Sequence, residues 1–77
     1  MTIRYHVTVA RQGTEWRAAC PALQDHGAVT GGDTREEALT HIENVILMIL
    51  VEMRSAGATP PPDVAVPGGI PVTIEFE

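Results

Sequence analysis

The residues from Gly31 to Gly57, GGDTREEALTHIENVILMILVEMRSAG, constrain the fold more than any other stretch. They predict one long helix over 34–56 with both ends marked. Asp33 and Thr34 are N-cap residue types, and Thr34 with Glu37 three residues later fits a capping box. Glu36 and Glu37 place negative charge at the positive end of the helix dipole, and Arg54 places positive charge near the other end. Gly57 suits the left-handed residue that ends helices, and Pro60, Pro61 and Pro62 forbid continuation. Such a helix would rise about 34 Å.

The helix is apolar on two sides. At about 100° per residue, Leu39, Ile42, Val45, Ile46, Ile49, Leu50 and Met53 fall on one broad face, an ordinary core stripe. Leu47, Met48 and Val51 fall roughly opposite, among Thr40, Asn44 and Ser55. One layer of sheet cannot cover both sides, so the second patch needs a separate cover. A membrane is a poor candidate, because the apolar run from Val45 to Val51 is far short of the roughly 20 residues that a span needs. The cover is either a later segment of the same chain or a partner subunit. The partner is the preferred reading, since 77 residues leave little spare material. Leu47, Met48 and Val51 are therefore the candidate oligomer interface, and a homo-oligomer, dimer or tetramer, is expected.

The rest of the chain reads as strands. From residue 3 to 12, Ile3, Tyr5, Val7 and Val9 alternate with Arg4, His6 and Thr8, the pattern of a half-buried strand. Gly13-Thr14 separates it from a second alternating run over 15–20, in which Trp16, Ala18 and Cys20 share a face. The pair reads as a hairpin. Pro21 to Gly27 reads as a polar connection with only Leu23 to bury, and 28–30 as a short third strand. After the helix, the proline-rich segment 58–69 is expected to be extended and semi-rigid, carrying the chain back along the helix. A fourth strand over 70–77 alternates Ile70, Val72, Ile74 and Phe76 with Thr73, Glu75 and Glu77, and Pro71 places it at a sheet edge. The order is β-β-β-α-β in one domain, 1–77. The fold class is α+β, one long helix packed on a small, mainly antiparallel sheet. The helix should meet Tyr5, Val7, Val9, Trp16, Ala18, Val72, Ile74 and Phe76.

Little in the chain suggests catalysis. One cysteine excludes an internal disulfide framework, and the start of the chain has no leader-like apolar segment, so a cytoplasmic location is expected. Cys20 reads as a buried structural thiol. His6, His26 and His41 have no metal-ligand spacing, and Asp25-His26 reads as a solvated turn. Gly31-Gly32-Asp33-Thr34 lacks the pattern of a phosphate loop, and its acidic neighbours would repel an anion. The glycine pair is expected to let the backbone turn from strand to helix. No cofactor or metal is expected. A net charge of −5 with no basic face argues against nucleic acid and suits a basic protein partner.

Together these residues resemble the HicB family of antitoxins. The resemblance is carried by Tyr5-x-Val7-x-Val9, Gly13 with Trp16, and Cys20-Pro21-x-Leu23. It continues through Gly32-Asp33-Thr34-Arg35-Glu36-Glu37-Ala38-Leu39, Ile42-Glu43-Asn44-Val45-Ile46, and Gly57 with Pro60 and Pro62. It implies a partial, non-catalytic ribonuclease H-like fold. It also implies binding and masking of HicA, a small basic toxin that cleaves messenger RNA with a histidine. The sequence departs from the family where Gln24-Asp25-His26-Gly27 stands in place of Pro-Gly-Cys. It also ends at Glu77, leaving no room for the family's DNA-binding domain, so direct DNA binding is not expected.

The leading functional expectation is thus an antitoxin-like binding protein, not an enzyme, that neutralises a small basic HicA-type mRNA interferase. The alternative is a stand-alone, self-associating HicB-like protein with no toxin. A metal-dependent ribonuclease ranks last. Its carboxylates would have to come from Asp25, Asp33, Glu36, Glu37 and the strand residues Glu15, Glu75 and Glu77, which have no clustered spacing.

Overall fold

The computed structural model describes residues 1–76. Strand β1 spans Thr2–Gln12 and β2 spans Glu15–Ala19. A short 3-10 helix, Pro21–His26, leads to β3, Val29–Gly32. Helix α1 spans Arg35–Ser55, and β4 spans Ile70–Glu75. The four strands form one antiparallel sheet in the order β3-β2-β1-β4, so the expected α+β architecture holds. The part of the expected last strand at Glu77 lies outside the described residues.

Strand β1 is the longest and is shared between two partners. Its first half, Thr2 to Val7, pairs with β4; its second half, Thr8 to Gln12, pairs with β2. Gly13, at φ 65°, supplies the left-handed residue of the tight hairpin between β1 and β2. β4 is an edge strand, as Pro71 requires.

The ends of α1 form as their residues dictate. Thr34 is extended at φ −129° and ψ 163°, and its Oγ1 accepts the amide of Glu37 at 3.1 Å. At the other end Ala58 N–H donates to Met53 O and Gly57 N–H to Arg54 O, with Gly57 at φ 74°. That is a Schellman stop, which satisfies two carbonyls the last turn would leave unpaired.

One face of the sheet carries the core. Tyr5, Val7, Ala18, Cys20, Val72, Ile74 and Phe76 are buried against Ala38, Ile42, Ile46, Leu50 and Met53 of α1. Leu23 and Ala28 close one end. Val9 and Trp16, expected in full contact with the helix, are only partly buried. They stand towards the hairpin end of the sheet. The opposite face, with Arg4, His6, Thr8 and Thr73, is the solvent side of a one-face-covered antiparallel sheet.

One local expectation is refined and one is corrected. The polar connection after Pro21 buries Leu23 as expected, and it does so in a regular form. Pro21 at the first helical position and Gly27 at φ 80° bracket a 3-10 turn that drives Leu23 into the core. The third strand was expected over 28–30, with Gly31-Gly32 as a turn. Instead β3 runs through both glycines, and neither has a positive φ. Gly32 is there for clearance. A Cβ on it would sit 2.7 Å from Ala38 N and 2.8 Å from Glu37 Cβ. Strand β3 can approach the first turn of α1 only because that atom is missing.

The proline-rich segment is strapped to β1. Tyr5 Oη donates to Pro61 O at 2.8 Å, and the His6 amide donates to Asp63 Oδ1 at 2.9 Å. His6 Nδ1 lies 2.5 Å from Asp63 Oδ2 and must carry the shared hydrogen, since a carboxylate only accepts. Burial pulls the Asp63 carboxyl up, but the His6 amide and ring outweigh it and hold the group below the usual carboxylate range. A lowered native value contributes stability above the unfolded-state value and loses it as pH falls through the native one. Asp63→Asn should therefore be less stable than wild type at pH 7, and the gap should close below about pH 4. Urea unfolding of both proteins at pH 7 and pH 3 measures this. An unchanged gap would show that the carboxylate charge does not hold the strap.

Candidate interaction surface

The buried stripe of α1 consists of Ala38, Ile42, Ile46, Leu50 and Met53, each about one turn from the next or on the adjacent ridge. Val45 and Ile49 flank it, half-buried. The far side of the same helix carries the second apolar patch. Met48 is 66% exposed and Val51 44% exposed, side by side one turn apart. Leu47 differs from them. It is half-buried and packs against the margin of the core, so it joins the patch to the interior. Exposed Thr40, Asn44 and Ser55 surround the three.

The segment that follows the helix does not reach this patch by way of its tethers. Pro61 and Asp63 are held to Tyr5 and His6 on β1, which lies on the sheet side of the core.

Charge is divided between the two layers. From Asp33 to Ser55 the helix layer carries Asp33, Glu36, Glu37, Glu43 and Glu52 against only Arg35 and Arg54, all exposed. The strands carry Arg4, Arg11 and Arg17 against Glu15 and Glu75. The helix side is thus the acidic one of the two layers, and Asp25, Asp63 and Glu77 supply the rest of the negative charge of the chain. Four of its five carboxylates there precede Met48, so the outer surface of the helix is acidic in its first half and apolar in its second.

No disulfide, nucleophile–base pair or metal cluster emerges from the remaining candidates among the described residues. Cys20 is fully buried, and burial pushes its thiol up, away from the reactive thiolate. Burial likewise raises the Tyr5 hydroxyl, already engaged with Pro61. Asp25 and His26 are exposed at the end of the 3-10 turn. The described residues contain no group of three or more His, Cys, Asp or Glu placed to hold a metal ion, so Glu15, Asp25, Asp33, Glu36, Glu37 and Glu75 form no such group; Glu77 lies outside the described residues. A cleft of about 410 Å³ lies between the end of α1 and the chain ends, lined by Met1, Arg54, Ala58, Pro60 and Phe76. Arg54 is its one charged side chain, its other walls are apolar, and none of its lining side chains is an acid–base pair.

No family model, curated protein or solved structure matches this chain. Its function has to be read from the surface itself.

Two polar contacts went unforeseen in the sequence. One is the His6–Asp63 strap. The other is His41 Nδ1, 2.7 Å from Gly31 O, which ties α1 to β3 beside the close approach at Gly32. No helix among the described residues is long and apolar enough to cross a membrane.

Proposed function

We propose that this chain is an antitoxin-like binding protein that captures a small basic protein of the HicA mRNA-interferase type on its helix side. The reading is supported above all by the concentration of exposed carboxylates on one layer of the fold. Asp33 just before the helix and Glu36, Glu37 and Glu43 on its first half outnumber the one cation there, Arg35. A field of one sign steers and orients an oppositely charged partner more than it sets raw affinity. The β-β-β-α-β order expected of a HicB-like domain supports the same reading.

The test is to read the adjacent reading frames for a small basic protein and to co-express the two chains. The two should co-purify, the complex should restore growth that the basic protein alone arrests, and capture should weaken at high salt. Glu36→Lys with Glu37→Lys should cut affinity by about tenfold or more, equal to about 1.4 kcal/mol. No complex and no rescue would sink the proposal.

A second reading is favoured by a separate observation, the exposure of Met48 and Val51: the protein self-associates through Leu47, Met48 and Val51. The two readings use different halves of the helix and are compatible. Cytoplasmic location follows as part of the same proposal, since the partner acts on messenger RNA.

A further inference from the structure

We infer that the second apolar patch is closed by a second copy of this chain, with the two α1 helices packed back to back and antiparallel about a two-fold axis near Met48. The inference rests on the self-association reading and gives it an orientation.

Three features of the helix select that arrangement. The first is the placement of charge along its length. Asp33, Glu36, Glu37 and Glu43 precede the patch against Arg35 alone, whereas Glu52 and Arg54 follow it and offset each other. A parallel pair would stack the acidic halves on each other, carboxylate against carboxylate. An antiparallel pair centred on the patch sends the acidic halves off in opposite directions, so neither opposes the other.

The second feature is the flank on which the charges stand. Glu43 and Arg54 lie on the same side of the patch, the Leu47 side, about one and a half turns before and after Met48. Across an antiparallel two-fold, equivalent flanks face each other; across a parallel one, opposite flanks do. Only the antiparallel pair brings Glu43 of each copy to Arg54 of the other, and the symmetry makes the contact twice.

The third feature is the apolar centre. The same axis sets Leu47 of one copy against Val51 of the other, with Met48 closing the side of the seam. Met48 suits this place, because its unbranched side chain adapts to the facing surface. Exposed Asn44 and Ser55 form a polar rim.

The overlap, from Glu43 to Ser55, spans about 18 Å of helix. A single helix contact of that length is a small interface beside the roughly 800 Å² per partner of a standard one, so the monomer–dimer equilibrium is expected to depend on concentration. Glu43 is taken into the seam, while Glu36 and Glu37, in the first turn of each helix, stay clear of it.

Sedimentation equilibrium of the full chain, without any partner protein, tests this over a range of concentrations. Wild type should shift from monomer to dimer as concentration rises. Met48→Glu should weaken the dimer at least tenfold while its circular dichroism stays that of wild type. Glu43→Arg and Arg54→Glu should each weaken the dimer, and the double variant Glu43→Arg/Arg54→Glu should recover it. Monomer at every concentration overturns self-association and the orientation with it. A dimer that the double variant fails to recover overturns the antiparallel pairing alone. Neither result touches capture of a basic protein, which is read by the separate Glu36 and Glu37 variants.

Discussion

Replacing Gly32 by alanine should destabilise the domain by about 1–3 kcal/mol. The added Cβ would meet Ala38 N at 2.7 Å, Glu37 Cβ at 2.8 Å and Glu37 C at 3.0 Å. None of these is the free end of a flexible side chain. All belong to the first turn of α1, which is fixed by the Thr34 cap and by the burial of Ala38. The strand and the helix would have to separate, and the His41 contact to Gly31 O lies in the path of that movement. A domain of this length is expected to have about 4–12 kcal/mol of stability in all, so the loss is a sizeable share. Gly31→Ala is the comparison. Its Cβ would meet only Trp16 O within 3.1 Å, with Arg17 Cδ at 3.9 Å, on the outer face of the sheet. Urea midpoints should fall in the order wild type, Gly31→Ala, Gly32→Ala. A Gly32→Ala midpoint equal to wild type would show that the approach of β3 to α1 is not tight.

The helix and strands β1 and β4 were legible because their signals are local. Caps, a proline stop and apolar spacing sit within the segment they describe, and Thr34, Gly57 and the Ile42–Ile46–Leu50 stripe behave as their residue types require. The alternation of Tyr5 and Val7, and of Val72 and Ile74, marks the covered face in the same way. What was not legible depends on contacts between distant residues. His6 and Asp63 are 57 positions apart, and no periodicity announces that a carboxylate after a proline run will return to a strand amide. Gly32 looked like a turn residue because glycine before a helix usually is one. Its real constraint is the distance to a helix that the chain has not yet formed at that point. The second apolar patch was readable as a surplus over what one sheet can cover. That Leu47 would lean into the core margin while Met48 and Val51 stay exposed was not, since the three differ only in their angle to the sheet.

The functional readings meet on one helix and share only Glu43, which the dimer seam engages, while Glu36 and Glu37 remain for a basic partner. A buried stripe holds the helix to the sheet, an acidic first half faces outward, and an apolar second half faces outward further along. An antiparallel pair would keep two acidic ends apart and accessible, one at each end of the seam. Each copy could then meet a basic partner without giving up its contact with the other. Separate variants address the two surfaces, because Glu36 and Glu37 lie in the first turn and Met48 lies beyond the middle of α1.

Ile46→Ala and Met48→Ala, two residues apart on that helix, should then have opposite signatures. Ile46 has no exposed surface and sits at the centre of the buried stripe. Truncating it removes buried methyl groups and leaves a cavity that the close-packed neighbours only partly fill, at a cost of about 2–5 kcal/mol. On a domain this small that approaches the whole stability, so much of the Ile46→Ala protein should be unfolded at 37 °C. Met48 is 66% exposed, and its truncation in the monomer should change stability by no more than about 0.5 kcal/mol. Its effect should appear instead in the concentration at which the dimer forms. Thermal unfolding at low protein concentration, where the monomer dominates, separates the two. A large loss for Met48→Ala in that dilute regime would mean that the side chain supports the fold of the single chain, and the patch would lose its claim to be an interface.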